Sequence, residues 1–116
     1  MAETYNISNQ IKGDTFDGVE FTLVNKDDSL PIVLTDALIK MQFRKNYKTG
    51  TLIKEINIDD GITVNDALLG VFTIDAFLID WVIGGYYYDV EFTFSDGTVK
   101  TFISGYFNVV QDVTNV

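Results

Sequence analysis

The last third of the chain carries the feature that most restricts its fold, a long run in which apolar and polar side chains alternate. One set of alternate residues is Tyr86, Tyr88, Val90, Phe92 and Phe94, and the other is Tyr87, Asp89, Glu91 and Thr93. Successive side chains of a strand point to opposite faces, so this run predicts a strand with the first set buried. Asp96-Gly97 follows, and this dipeptide between two alternating runs predicts a tight hairpin into a strand over Thr98 to Val110.

Two details of this hairpin carry further structural predictions. The core face of the last strand is predicted to hold Val99, Thr101, Ile103, Phe107 and Val109. Gly105, in the middle, marks either a β-bulge or the close approach of another backbone. Tyr86 stands two positions before the inward Tyr88, at the start of the penultimate strand, as the tyrosine of a tyrosine corner does in immunoglobulin-like domains.

Shorter alternating runs separated by turn residues fill the rest of the chain. The predicted strands cover residues 5–11, 19–24, 37–45, 52–58, 62–64 and 69–74. The segment Ala76 to Val82 has the spacing of a helical turn but is too short to form a layer. The pattern therefore predicts an all-β fold, an immunoglobulin-like antiparallel β-sandwich of about seven or eight strands in one domain over residues 1–116.

The composition agrees with one folded domain. The chain has 116 residues, of which 47% are hydrophobic and 22% charged, and it contains no cysteine. A single core of this size needs neither a metal nor a disulfide. No basic segment followed by an apolar stretch opens the sequence, and no apolar run approaches membrane-spanning length, so we expect a soluble protein without a signal peptide and without a membrane partner.

The net charge of −9 argues against nucleic acid as a partner, because an acidic surface repels phosphate backbones. Half of the eight basic residues nevertheless lie within nine positions: Lys40, Arg44, Lys45 and Lys48. This group is either the solvated face of one strand and its turn or a contact patch for an acidic partner.

The residue types that most enzymes need are missing. Without histidine and cysteine the chain lacks the commonest general base, the usual zinc ligands and thiol nucleophiles. The acidic clusters Asp27-Asp28 and Asp59-Asp60-Gly61 lack calcium-loop spacing, and Gly84-Gly85 lacks the context of a phosphate-binding loop. We therefore expect no catalytic residues, no metal site and no cofactor, and predict that the protein is not an enzyme.

Protein-interface residues are the remaining candidates for a site. Arg44, Tyr47 and Lys48 lie near one predicted hairpin, and Trp81 and Tyr87 are predicted near the opposite end of the domain. Arg, Tyr and Trp are enriched at interfaces, and the alternation predicts that these side chains are exposed.

Several segments together resemble the amino-terminal domain of phage baseplate upper proteins and related tail-fibre attachment domains. The matching segments are Gly13-Asp14, Phe21-Thr22-Leu23, Leu30 to Thr35, Ile39 to Arg44, Gly85 to Thr93, Asp96 to Val99, Gly105 to Val109 and Asp112-Val113-Thr114. The likeness spans nearly the whole chain but consists of strand and turn patterns. Baseplate upper proteins continue past such an end into a coiled coil or receptor-binding region, whereas this sequence ends at Val116.

The resemblance implies a phage or prophage virion structural protein, a small adaptor of a tail, baseplate or fibre. Its expected partners are other virion proteins, with a homo-oligomer in the assembled particle. Its expected location is the virion, assembled in the cytoplasm of the bacterial host. The alternative left open by the residues is a carbohydrate- or host-receptor-binding module that uses Trp81 and Tyr87.

Overall fold

A computed structural model describes residues 3–111 of the chain, and every regular element in that part is a strand. The strands are β1 (Glu3–Thr4), β2 (Gln10–Ile11), β3 (Thr15–Phe16), β4 (Val19–Thr22), β5 (Leu38–Lys45), β6 (Leu52–Ile58), β7 (Gly61–Asp66), β8 (Val71–Ile74), β9 (Phe77–Leu78), β10 (Gly84–Thr93) and β11 (Val99–Val110). Over these residues, seven strands have four or more residues, which confirms the predicted all-β fold and its strand number.

One long sheet, with strand order β1-β11-β10-β5-β6-β7-β8-β4, forms both layers. The chain turns sharply at Asp59 and Asp60, and β6 and β7 then pair over only two residues, so the sheet folds over at this corner. Phe72 of β8 meets Phe92 of β10 edge-on at 5.5 Å between ring centroids. The β7-β8-β4 half therefore packs against the β11-β10-β5 half as the second layer of a sandwich.

The core lies between these layers and follows the alternation in the sequence. Tyr88, Val90 and Phe92 of β10 and Met41 and Phe43 of β5 are fully buried. Most pairings between the longer strands are antiparallel, as predicted. The short strands β1 and β2 instead pair in parallel with β11, which the alternation does not indicate.

The predicted first strand over residues 5–11 is interrupted. Glu3 and Thr4 pair with Ile103 and Ser104 of β11, and pairing resumes only at Gln10. Between them the Asn6 side-chain carbonyl accepts the Tyr106 N–H at 3.0 Å. A side chain therefore replaces the backbone partner at Asn6, and residues 6–9 lie outside the ladder.

The segment 76–82 is not a helical turn. Phe77 and Leu78 form β9 and pair antiparallel with Phe16 and Thr15 of β3. Phe77 also packs against Phe16 at 5.2 Å. The spacing of apolar residues that suggests a helix instead serves a short second sheet, because these side chains find their partners far away in sequence.

The last strand departs from strict alternation. Val90 of β10 pairs with Ile103 and Glu91 with Thr101, so Phe102 is the extra residue of a β-bulge. Ile103, Phe107 and Val109 are buried as predicted. Val99 and Thr101 are exposed, contrary to the prediction, because the bulge changes the facing of residues beyond it.

Gly105 marks the close approach of another backbone and is not the bulged residue. Its φ is not in the left-handed region, so the constraint is space. A Cβ atom here would lie well inside contact distance of the Tyr5 carbonyl oxygen, 2.8 Å from the carbonyl carbon and 3.0 Å from Tyr88 Cε1. The glycine lets residue 5 lie directly against β11.

Tyr86 forms the predicted tyrosine corner, since its hydroxyl donates a hydrogen bond to the Val82 carbonyl four residues earlier. Its ring is buried between Trp81 and Phe107, and burial raises the pKa of its hydroxyl. Replacing Tyr86 with phenylalanine keeps the ring and removes only this hydrogen bond. We expect Y86F to lower the free energy of unfolding by about 1 kcal/mol in urea denaturation.

The matched control for this change is Y47F, because Tyr47 is 67% exposed. It should leave the urea midpoint unchanged. Equal midpoints for Y86F and the unsubstituted protein would show that the corner contributes nothing to stability.

Candidate ligand-binding groove

An apolar groove opens between the two edges of the folded sheet. Strands β1 and β4 are the ends of the strand order, and folding of the sheet brings them to opposite sides of this groove. Its volume is about 770 Å³. The lining residues come from three regions: Thr4 and Tyr5 at β1, Phe21 to Lys26 with Ile32 at β4 and its loop, and Phe94, Thr98, Lys100, Phe102 and Ile103 at the β10–β11 hairpin.

Aromatic rings form the walls and hold one another in place. Tyr5 meets Phe21 edge-on at 5.2 Å between centroids, across the gap between the two edges. On the opposite side, Phe102 packs against Phe92 at 5.4 Å and Phe94 at 6.2 Å. The rings of the walls are therefore continuous with the aromatic packing of the core. Because these contacts hold the rings in place without a ligand, the groove is preformed.

The backbone of Tyr5 is anchored by two hydrogen bonds. Its N–H donates to the Ser104 carbonyl at 2.8 Å, and its carbonyl accepts the Tyr88 hydroxyl. Tyr88 is fully buried, and burial raises the pKa of its hydroxyl, so the group stays protonated and donates at neutral pH. Tyr5 thus holds a defined position at the rim although its side chain is 44% exposed.

The charge at the groove is opposite to that of the whole protein. The chain has 17 acidic and eight basic residues, yet the two charged residues that line the groove within the described part of the chain are Lys26 and Lys100. Lys100 pairs with Phe92, whose side chain is fully buried on the inner face of the sheet. Directly opposed residues share a face, so Lys100 lies on the inner side of the sandwich at its open end.

Four of the five predicted interface residues lie elsewhere, on the outer face and its hairpin. Tyr47 is 67% exposed and Lys48 is exposed, as predicted. Arg44 is partly buried, and its guanidinium donates to the Gly50 carbonyl at 3.0 Å and to Gln42 Oε1 at 2.9 Å. Arg44 therefore holds its own hairpin together.

Tyr87 lies next to Arg44 and not at the opposite end of the domain. The start of β10 runs beside the end of β5, which pairs Tyr87 with Arg44 on one side and with Tyr106 on the other. The two tyrosine rings meet edge-on at 5.0 Å. Farther along the same face, burial and the nearby Glu91 raise the pKa of Asp89, while Arg44 opposes this shift.

Trp81 is not an exposed platform, contrary to its prediction. Its ring packs against Tyr86 at 5.1 Å, Phe43 at 5.3 Å, Phe77 at 5.8 Å and Phe107 at 5.9 Å. The residue follows β9 and precedes β10, and this connection folds back over the end of the core. Its faces are therefore used by neighbouring rings and not available for stacking with a sugar.

The groove residues are absent from the predicted interface. The alternation predicts Phe94 as an ordinary core residue, because the pattern of one strand does not show whether a second layer covers it. The pairing of Lys100 with Phe92 places a lysine on the inner face of the sheet, but the alternation predicts the other register, with Val99 and Thr101 facing the core. The sequence alone therefore gave no signal for the groove.

Within residues 3–111 no group of three or more acidic side chains is arranged to hold a metal ion. The described part of the chain has no helix long and apolar enough to span a membrane. The absence of a cofactor and of catalytic residues stays a prediction, as do the homo-oligomer and the lack of enzymatic activity.

Comparison with known solved structures gives a distant likeness. No protein-family model and no curated protein matches the chain. The chain is similar to the crystal structure of CopC from Methylosinus trichosporium OB3b, with a TM-score of 0.49 and 16% sequence identity. The match covers 89% of this chain and 84% of that chain. A likeness this distant carries no statement about what the present chain binds.

The predicted role as a phage virion structural protein is wrong: the likeness that comparison gives is to CopC, which is not a virion component. The carbohydrate- or receptor-binding alternative is withdrawn with it, and the packing of Trp81 removes the aromatic platform on which it depended. Part of the likeness to baseplate domains, Asp112-Val113-Thr114, lies outside the described residues.

Proposed function

We propose that this protein is a non-catalytic binding domain that holds a small, elongated apolar molecule in the groove between β1 and β4. The observation that carries the proposal is the groove itself, a concave site of about 770 Å³ with mainly apolar walls. Sites for small organic ligands have volumes of roughly 300–1,000 Å³ and are lined mostly by apolar and aromatic side chains.

The position of the groove explains why it stays open. A sandwich normally brings the apolar faces of its two layers together along their whole length. Here Phe72 and Phe92 close the middle of the sandwich, whereas Phe94 and Phe102 extend the apolar surface beyond the end of β4. A ligand would cover the part of this surface that the second layer leaves in water.

Burial of apolar ligand surface supplies the binding free energy. Each 100 Å² or so of apolar surface removed from water contributes about 2.5 kcal/mol, before the loss of ligand freedom is subtracted. The walls are held by ring contacts and by the two hydrogen bonds to the Tyr5 backbone, so little ordering of the protein is required. Thr4, Thr22, Asn25 and Thr98 supply hydroxyl and amide groups at the lining.

A charge placed in the lining should weaken binding. Val24 lines the groove and is 50% exposed, so V24D is expected to fold normally. Its carboxylate must lose water when an apolar ligand enters, which should weaken the affinity for the neutral dye N-phenyl-1-naphthylamine about tenfold. The measurement is a fluorescence titration, in which dye emission rises as the dye leaves water.

Val33 provides the matched control, because it is 49% exposed and is not among the lining residues. V33D should bind the dye as the unsubstituted protein does. Absence of saturable dye binding by the unsubstituted protein, or equal weakening in V24D and V33D, would rule out the groove as the binding site.

A further inference from the structure

We infer that the ligand of the groove is an amphipathic anion, an apolar chain that ends in a carboxylate or a similar acidic group, and that Lys100 recognises this group. The inference rests on the proposed function and adds the chemical class of the ligand. Its basis is the contrast between an apolar lining, two lysines at that lining, and an otherwise strongly acidic protein.

The position of Lys100 is the first support. Its cross-strand partner Phe92 is fully buried, and Phe102, two residues later, packs on Phe92. A lysine paired with a buried phenylalanine stands where the inner face of the sheet favours an apolar residue. Its four-carbon stem can lie along the apolar wall while the ammonium group stays at the open end.

The absence of acidic side chains from the lining is the second support. None of the described residues that line the groove is an Asp or Glu, although acidic residues outnumber basic ones by 17 to eight in the chain. Lys26, in the loop after β4, adds a second cationic residue to the same lining. Among the described residues, the lining thus presents two cationic side chains and no acidic one to a negative group.

The shape of the groove sets how such a ligand would lie. Phe21, Phe94 and Phe102 supply the surface for the apolar chain, and Lys100 and Thr98 belong to the same lining, on the β10–β11 hairpin. A ligand with an acidic group at one end and a hydrocarbon chain at the other satisfies both parts of the lining. A neutral apolar molecule would contact the apolar walls but would leave Lys100 without an acidic group to bind.

The test compares dodecanoate with 1-dodecanol, which differ in the head group and share a chain of the same length. Both are titrated below their aggregation limits by displacement of N-phenyl-1-naphthylamine from the full-length protein. We expect dodecanoate to bind more tightly than dodecanol. K100Q should weaken dodecanoate binding about fivefold, and K100E should weaken it further, with dodecanol affinity unchanged.

K40Q is the matched control, since Lys40 is exposed on the outer face of β5 and does not line the groove. It changes the net charge equally and should leave dodecanoate affinity unchanged. Added salt should weaken dodecanoate binding to the unsubstituted protein more than binding to K100Q.

The possible results separate the two proposals. If the dye and dodecanol bind but dodecanoate shows no advantage, or if K100Q and K40Q behave alike, the anionic ligand is excluded and the apolar site stands. In that case Lys100 only keeps the open end of the sandwich hydrated. If no probe binds, the proposed function fails and this inference fails with it.

Discussion

Replacement of Phe43 with alanine is expected to lower the free energy of unfolding by about 3–5 kcal/mol. Phe43 is fully buried at the centre of the core. Its ring lies 5.3 Å from Trp81, 5.6 Å from Phe77 and 6.1 Å from both Tyr88 and Phe107. These rings come from three parts of the chain, namely β9 with the connection after it, β10 and β11, so they cannot all move inward to fill the cavity.

The measurement is urea denaturation followed by far-ultraviolet circular dichroism, with the fluorescence of Trp81, the single tryptophan of the chain, as a second probe. L38A is the control on the same strand, because Leu38 is 67% exposed. It should change stability by less than about 0.5 kcal/mol. A loss below about 1.5 kcal/mol for F43A would mean that the aromatic cluster is loosely packed or can rearrange.

Replacement of Gly105 with alanine is expected to lower the free energy of unfolding by about 2–4 kcal/mol and to weaken ligand binding as well. The new methyl group would overlap the Tyr5 carbonyl, which is backbone and cannot rotate away. Residues 3–5 would have to separate from β11. That movement breaks the hydrogen bond from the Tyr5 N–H to Ser104 and leaves the buried Tyr88 hydroxyl without its acceptor.

This prediction can be checked by hydrogen exchange and by dye titration. In G105A the Tyr5 amide should lose most of its protection, while the amides of the β10–β5 ladder stay protected. The affinity for N-phenyl-1-naphthylamine should fall because Tyr5 forms part of the groove.

G85A is the matched control for G105A. Gly85 lies on β10, its φ is outside the left-handed region, and an added Cβ would meet only Asn108 Oδ1 at an ordinary 3.5 Å. It should be tolerated. Similar losses for both substitutions would indicate a general intolerance of alanine in these strands and would contradict the proposed contact between Tyr5 and β11.

Local chemistry was sufficient to predict the strands and their facing. The alternation over Tyr86 to Phe94 identified the buried side of β10, and Asp96-Gly97 identified its hairpin, because strand facing and turn geometry depend on neighbouring residues. The tyrosine corner was also readable, since Tyr86 and its acceptor at Val82 lie four residues apart. The sequence alone thus determined the fold class, the main hairpin and most of the core.

Only the tertiary structure decided where a ligand-sized groove lies. Tyr5, Phe21 and Lys100 are far apart in sequence and come together because the sheet folds over at Asp59 and Asp60 and brings its two edges face to face. Likewise, Trp81 turned inward and Tyr87 came to lie beside Arg44 through the antiparallel course of β10 and β5. Periodicity reports which way a side chain points, whereas exposure also depends on whether another layer covers it, and that coverage is set by contacts between distant segments.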